Sequence, residues 1–332
     1  MKNSNLCPIC NGRVSLITGK PKDISFRKET FRIYESYFKC ENCNGELVDD
    51  KQGDRNLKQV YNQYREKYKI LFPSEITSLR KKYGLSKNKM SLSLGWGENT
   101  YSNYEKGAIP NESHNSLLRL IKDPKQYFKL IEYREDLFTK SELKELEKVV
   151  AEQSNISTKS NWIEELWPKR IGSDTGFVKP NFEKFINVIL YFASKEKPYK
   201  TKLNKLLFYS DFEYYKNYLL SITGCRYVAI KYGPVPNDYD AIYSWLFMKK
   251  YIDIKEHLDE CGVTEKIECI KQPDMNLFDE NEIKFIEKIY HKFKNFKPNE
   301  ISQYSHKEIG WKENKDKNGI IDYQKYAIIL NN

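Results

Sequence analysis

Four cysteines stand in two copies of one short pattern, CPICNG at residues 7–12 and CENCNG at residues 40–45. Cys7, Cys10, Cys40 and Cys43 therefore read C-x2-C-x29-C-x2-C. Two residues between cysteines let both thiolates of a pair reach one tetrahedral Zn²⁺ at about 2.3 Å. Four thiolates fill every coordination position, so such a zinc is structural and leaves none open for a substrate. The turn of each knuckle favours a residue tolerant of positive φ just beyond it, and Gly12 and Gly45 stand there. The competing reading is four free or redox-active thiols, and duplication of the whole pattern counts against it. Cys225, Cys261 and Cys269 lack the spacing and read as ordinary buried or half-buried thiols.

A second group of residues has the chemistry to read DNA. The stretches PSEITSLRKKYGLS, SKNKMSLSLGWG, ENTYSNYEKG and NESHNSLLRLIKDP read as four short helices. Pro73 opens the first, Ser86 caps the second, GWG turns into the third, Gly107 closes it, and Pro124 ends the fourth. That order describes a helix-turn-helix whose third helix enters the major groove. Asn99, Thr100, Tyr101 and Asn103 read as its exposed face. Asn bonds adenine in bidentate fashion, and Thr and Tyr suit phosphates or thymine methyls. Lys87, Lys89 and Lys106, with Lys81 and Lys82, are placed for phosphates. The alternative is a plain four-helix module with solvated Asn and Lys. Charge favours the first: residues 1–125 hold 23 Lys and Arg against 14 Asp and Glu, the remainder 33 against 32.

The elements that must position these groups follow from periodicity. RVSLIT and ETFRIYESYFK are β-branched and aromatic and read as the strands of a small ribbon over residues 1–50. Residues 51–72 read as a connecting helix on Leu57, Tyr61, Tyr64 and Tyr68. Residues 73–125 hold the helix-turn-helix. Residues 126–174 read as a helical linker, with a capping box from Thr139 to Glu142 and a stripe of Leu143, Leu146, Val149 and Val150. From 175 to 320 the texture is that of a mostly helical domain with a small β-hairpin, YIDIKEH against EKIECIKQ. Gly224 reads as the cap of the helix before RYVAIKYGPVP, whose prolines keep YGPVP extended. Asp211, Glu213 and Asp238 read as solvated carboxylates and His306 as a structural histidine, so no catalytic set emerges and the chain reads as a non-enzyme. A mean hydropathy of −0.74 and no apolar leader or span-length run point to a cytoplasmic protein that enters no membrane.

Two family resemblances attach to these residues. CPIC…CENC followed by SLRKKYGLS…GWGENTYSNYEKGAIP resembles the MqsA class of antitoxins, over roughly residues 1–125. The resemblance implies a zinc ribbon joined to an XRE-type helix-turn-helix of four to five helices, a homodimer on operator DNA, and Asn99 touching that DNA. The family usually carries Arg where this chain has Asn103, so its operator sequence does not transfer: Arg prefers guanine, Asn adenine. TKLNKLLFYSDFEYY…ITGCRYVAIKYGPVP…SQYSHKEIGWKE resembles the Panacea, or SocA-like, antitoxin domain over about 175–315. Its marks are Lys205 to Tyr209, Gly224, Tyr227, Tyr232 to Pro236, His306 and Trp311. It implies neutralisation of a cognate protein toxin by direct binding, with Tyr209, Tyr227, Tyr232, Pro234, Val235 and Pro236 as the contact expectation. The resulting fold expectation is multidomain and mainly α. The functional expectation is a type II antitoxin that represses its own operon. The alternative is a DNA-binding regulator, phage-borne in one version, whose C-terminal domain presents a client to a cellular protease or senses another protein.

Overall fold

The computed structural model describes residues 6–155, 163, 166–259 and 262–331. The chain divides into two compact units, one of residues 1–63 with 162–332, the other of residues 64–161.

The first unit begins with the ribbon. β1 (Val14–Phe26) and β2 (Glu29–Cys40) form an antiparallel hairpin, and β3 (Glu46–Leu47) adds to β2 opposite Phe38 and Lys39. β1 runs well beyond the RVSLIT expectation. Gly19 (φ +82°) forms a bulge with a register shift between Thr18 and Lys20, and Pro21 lies on an edge strand, so neither ends β1. The two-residue turn is Arg27–Lys28, both at positive φ, without the Gly or Asn that would announce it.

α1 (Asp50–Tyr68) covers the other edge of β2 with side-chain amides. Gln63 donates to the Arg32 carbonyl (2.9 Å). Gln59 accepts from Tyr34 N (3.0 Å) and donates to Tyr34 O (2.9 Å), and Asn56 does the same at Ser36 (2.8 and 3.0 Å). Alternate residues of β2 thus find their bonds in a helix instead of a strand, which closes an edge that would otherwise recruit other chains.

The rest of this unit is helical. α8 (Phe182–Glu196) is buried at every position from Phe185 to Ala193, and α9 (Lys200–Tyr218) from Lys202 to Tyr215. Helices buried all round form the centre of a domain, and the others pack about them. α10 (Tyr239–Met248), the amphipathic α11 (Glu280–Phe293), α12 (Pro298–Ser305), α13 (Ile309–Asn314) and α14 (Tyr323–Tyr326) are further helices of this unit. Two hairpins join them: β4 (Tyr227–Ile230) with β5 (Gly233–Pro236), and β6 (Ile252–Asp259) with β7 (Gly262–Cys269). The second is the hairpin read from the sequence, although its turn lies outside the described residues. The ribbon and α1 rest on this domain: the Tyr34 and Phe177 rings are 5.8 Å apart, Asn62 donates to Phe177 O (3.0 Å), and Arg55 lies over the Tyr218 ring (4.7 Å).

Three sequence expectations change here. Leu219 (φ +57°) caps α9, whereas Gly224 (φ +73°) is pressed against Pro180, where a Cβ would meet Pro180 Cα at 2.7 Å. Asp211 is buried, accepting from Ile222 N (2.9 Å), Thr223 N (2.8 Å), Thr223 Oγ1 (2.6 Å) and Tyr227 OH (2.9 Å). It ties the end of α9 to the strand that follows. Glu213 is also buried and pairs with Lys292 (2.7 Å) and Lys288 (3.1 Å).

The second unit holds α2 (Pro73–Lys82), α3 (Lys87–Ser93), α4 (Thr100–Glu105), α5 (Glu112–Leu120), α6 (Pro124–Ile131) and α7 (Lys140–Asn155). Ile76, Leu79, Met90, Tyr101 and Leu118 share one core with Tyr127, Ile131, Phe138 and Leu146. The segment read as a linker therefore contributes its apolar stripe to the helix-turn-helix core up to Val149; the side chain of Val150 lies outside the described residues. The Thr139–Glu142 capping box is formed, with Thr139 N donating to Glu142 (2.8 Å) and Glu142 N to Thr139 Oγ1 (3.3 Å). Among the described residues no helix is long and apolar enough to cross a membrane.

Candidate functional site

The candidate metal centre is built by two matching turns. Cys7 N donates to Gly12 O (2.7 Å) and Asn11 N to Cys7 O (2.9 Å); Cys40 N to Gly45 O (2.9 Å) and Asn44 N to Cys40 O (3.1 Å) repeat the pattern. The positive φ falls on Asn11 (54°) and Asn44 (56°), not on the glycines as the sequence suggested. The glycines are needed for space. A Cβ on Gly12 would lie 3.1 Å from Cys40 Sγ and 3.3 Å from Cys10 Sγ, and one on Gly45 3.3 Å from Cys43 Sγ. All four Sγ atoms lie within 4.8 Å of one another, with Cys7–Cys43 at 3.7 Å and Cys10–Cys40 at 3.5 Å. Tetrahedral zinc with bonds of about 2.3 Å sets its sulfurs about 3.8 Å apart, so the four thiols fit the ion. The Asn42 and Cys43 amides lie 3.4 and 3.5 Å from Cys40 Sγ, where they would support a thiolate. Cys225 is buried and Cys269 half-buried, each donating to a backbone carbonyl, and Cys261 lies outside the described residues.

On the helix-turn-helix, Asn99 is the N-cap of α4, exposed and making no cap hydrogen bond with its side chain. Asn103, Lys87 and Lys106 are exposed and Thr100 half-buried. Tyr101 departs from expectation. It is fully buried, its hydroxyl donates to Ile76 O (2.7 Å), and it stacks against Trp96. In a six-residue helix one side must face the core, and Tyr101 and Tyr104 are that side. Lys89 also departs: it is bound to both oxygens of Glu142 (2.6 and 2.7 Å), which hold its charge against α7. Lys87 stays near Glu105 (3.4 Å), whose main partner is Arg80 (2.6 Å).

In the helical domain, the expected contact set falls mostly inside. Tyr209, Tyr227 and Val235 are core residues, and Pro234 and Pro236 are buried with them. Tyr209 donates to Glu308 (3.0 Å) and Tyr227 to Leu207 O (2.9 Å). Tyr232 alone of the six is largely exposed, at 61%. It sits in the β4–β5 turn, and the same turn gathers other marked residues. Trp311 Nε1 donates to Ile230 O (2.7 Å), and His306 lies flat on Trp311 (3.9 Å, 10°). Gly233 (φ +106°) is laid over Lys205, where a Cβ would meet Cε at 2.5 Å. In the sequence these residues were joined only as marks of the Panacea resemblance; the fold brings them to one turn. His306 has its pKa pushed down, first by burial and then by the charges of Lys205 and Lys315.

Two family profiles match separate parts of the chain. The profile described as the antitoxin component of bacterial toxin-antitoxin systems, MqsA, matches residues 5–132. The profile described as antitoxin SocA-like, Panacea domain, matches residues 203–312. Antitoxin MqsA of Escherichia coli (strain K12) is 31% identical over 124 residues, which cover 90% of that protein and 35% of this chain.

Proposed function

The chain belongs to the MqsA antitoxin family and carries a SocA-like Panacea antitoxin domain behind the matched region; on that premise we propose that it neutralises a cognate protein toxin through the Panacea domain and represses its own operon through the helix-turn-helix. The observation that carries the reading is the presence of both antitoxin domains in one chain. Binding suffices for both tasks, and the proposal assigns no catalytic step.

In this scheme the four cysteines hold a structural zinc that fixes the ribbon. Asn99 and Asn103 read bases from α4, and Lys87 and Lys106 contact phosphates, as their exposure allows. A homodimer would place two such helices on successive half-sites of a palindromic operator. Toxin is captured on the exposed surface of the helical domain, with Tyr232 its most prominent aromatic among the residues expected at the contact.

The test is co-expression of the full chain with the neighbouring open reading frame, alongside gel retardation of the operon's promoter. Relief of toxicity and a salt-sensitive shift of the promoter fragment are expected. A neighbour whose toxicity the chain does not relieve overturns the first half, and a promoter it ignores overturns the second. Asn99→Ala is expected to weaken operator binding by about 1–3 kcal/mol, read from the same titration.

A further inference from the structure

The last turn of α10 leaves large apolar side chains outside the fold. Phe247 is 49% exposed and Met248 59%, and Ile270, just beyond β7, is 53% exposed. The backbone brings the three to one corner. Lys250 N donates to Phe247 O (3.0 Å) and Tyr251 N to Leu246 O (2.9 Å), while Tyr251 O accepts from Ile270 N (3.0 Å) and Lys271 N (3.1 Å). Single exposed apolar residues are ordinary in a soluble protein. Three at one corner, each half out of the fold, expose on the order of 300 Å², the lower end of the patch sizes that mark interaction sites.

The corner is also cationic. Lys249, Lys250 and Lys271 are exposed, and none has a carboxylate partner among the described residues. Acids of the adjoining elements are engaged with other lysines: Asp240 with Lys200 (2.7 Å), Asp253 with Lys255 (2.5 Å) and Glu268 with Lys197 (3.1 Å). Lys271 is held in place. Its Nζ lies 3.7 Å from the centre of the Tyr251 ring, which stacks on the buried Trp245 (5.7 Å, 28°). A cation already fixed on a ring loses little freedom when it pairs with an arriving anion.

We propose that Phe247, Met248 and Ile270, with Lys249, Lys250 and Lys271 about them, form a docking surface for an acidic face of the partner toxin, one whose apolar centre is flanked by Asp or Glu. The proposal rests on the toxin-binding reading and gives that partner a second point of contact besides Tyr232. Charge selects this occupant. A second copy of the chain would bring lysines against lysines. An anionic membrane is held by clusters of about four to eight basic residues. This corner has three, and the β6–β7 hairpin that starts there carries Asp253, Glu256, Glu265 and Glu268, which such a membrane repels. A protein surface can set single carboxylates opposite the lysines while its apolar centre covers Phe247 and Met248.

The experiment titrates the full chain with the purified product of the neighbouring open reading frame, in low and in high salt. Two double variants are compared with the wild type: Phe247→Ser with Met248→Ser, and Lys249→Glu with Lys250→Glu. All four side chains are exposed, so both variants are expected to melt with the wild type. Each is expected to bind the toxin at least about tenfold more weakly, and the charge-reversed one to lose most of the salt dependence of binding. Should the first pair melt lower, Met248→Gln stands in for it, with a loss in the same direction. Size measurement, and sedimentation with vesicles of phosphatidylcholine and phosphatidylserine, cover the other occupants. Unchanged toxin affinity in either pair overturns the proposal, and a change confined to self-association or to vesicle binding does so too. If the wild type neither binds nor neutralises the neighbour, the antitoxin reading falls and this contact with it. If the wild type neutralises the neighbour and the variants bind it equally well, this contact alone falls.

Discussion

Cys40 is the pivot of the candidate metal site: it is buried, lies 3.5 Å from Cys10 Sγ, and has two backbone amides close to its sulfur. Cys40→Ser is expected to release the metal, measured by elemental analysis of the purified protein; retained zinc would reject these four cysteines as its ligands. Lys89 and Glu142 offer a test by pH. Hydrogen bonds from Lys89 and from the Thr139 amide hold the Glu142 carboxyl down at about 2, against an ordinary value of 4.5. A depressed carboxyl stabilises the fold above its unfolded value and loses that contribution as pH falls through the folded one. The pair should therefore help fully above about pH 4.5 and fade between there and pH 2. It is partly exposed, so its worth is on the order of 0.5 kcal/mol. Glu142→Gln should lower the melting temperature slightly at pH 7 and not at pH 2. These residues also show what a sequence conceals. Motif spacing placed Tyr101 and Lys89 on the DNA face, but a helix of six residues cannot expose every position, and a lysine faces whichever acid the next helix supplies.

At the scale of elements, α1 carries the clearest lesson. Its tyrosines suggested an ordinary apolar stripe, yet Leu57 and Tyr68 are 41% and 45% exposed, while Gln52, Asn56 and Gln59 are buried. Hydrophobic periodicity cannot see a face made of amides, although Gln52, Asn56, Gln59 and Gln63 recur at helical spacing. Asn56→Leu leaves both Ser36 backbone groups buried without partners, so a loss of roughly 1–3 kcal/mol is expected. Urea unfolding checks it: the midpoint should fall with the slope unchanged, and an unmoved midpoint would remove the amide ladder as a source of stability. Where an element obeyed the common signals, its position was legible. The Thr139 capping box, the helix-turn-helix with its Gly turn and the β6–β7 hairpin stand where their residues placed them. β1 escaped because a bulge glycine and an edge proline look like chain breakers when no partner strand is in view.

At the scale of the molecule, the ribbon belongs to the same compact unit as the helical domain, although the helix-turn-helix lies between them in sequence. Local patterns give no warning of this, because the contacts join Tyr34 to Phe177, Arg55 to Tyr218 and Gly19 to Ile328. Metal in the ribbon should therefore support α8 and α9 as well. A ribbon of about 50 residues has too small a core to hold without its metal. Its loss would strip Phe177 and Tyr218 of their cover and leave Arg55, already desolvated, without its aromatic partner. Hydrogen exchange on the full chain, with and without a chelator, measures the effect. Amides of α8 and α9 are expected to lose protection worth about 1–3 kcal/mol, while those of α2 to α5 keep theirs. If α8 and α9 exchange as slowly without metal as with it, the helical domain stands by itself and the ribbon merely rests on it. If they loosen, the four cysteines at one end of the chain set the stability of the proposed toxin-binding domain at the other.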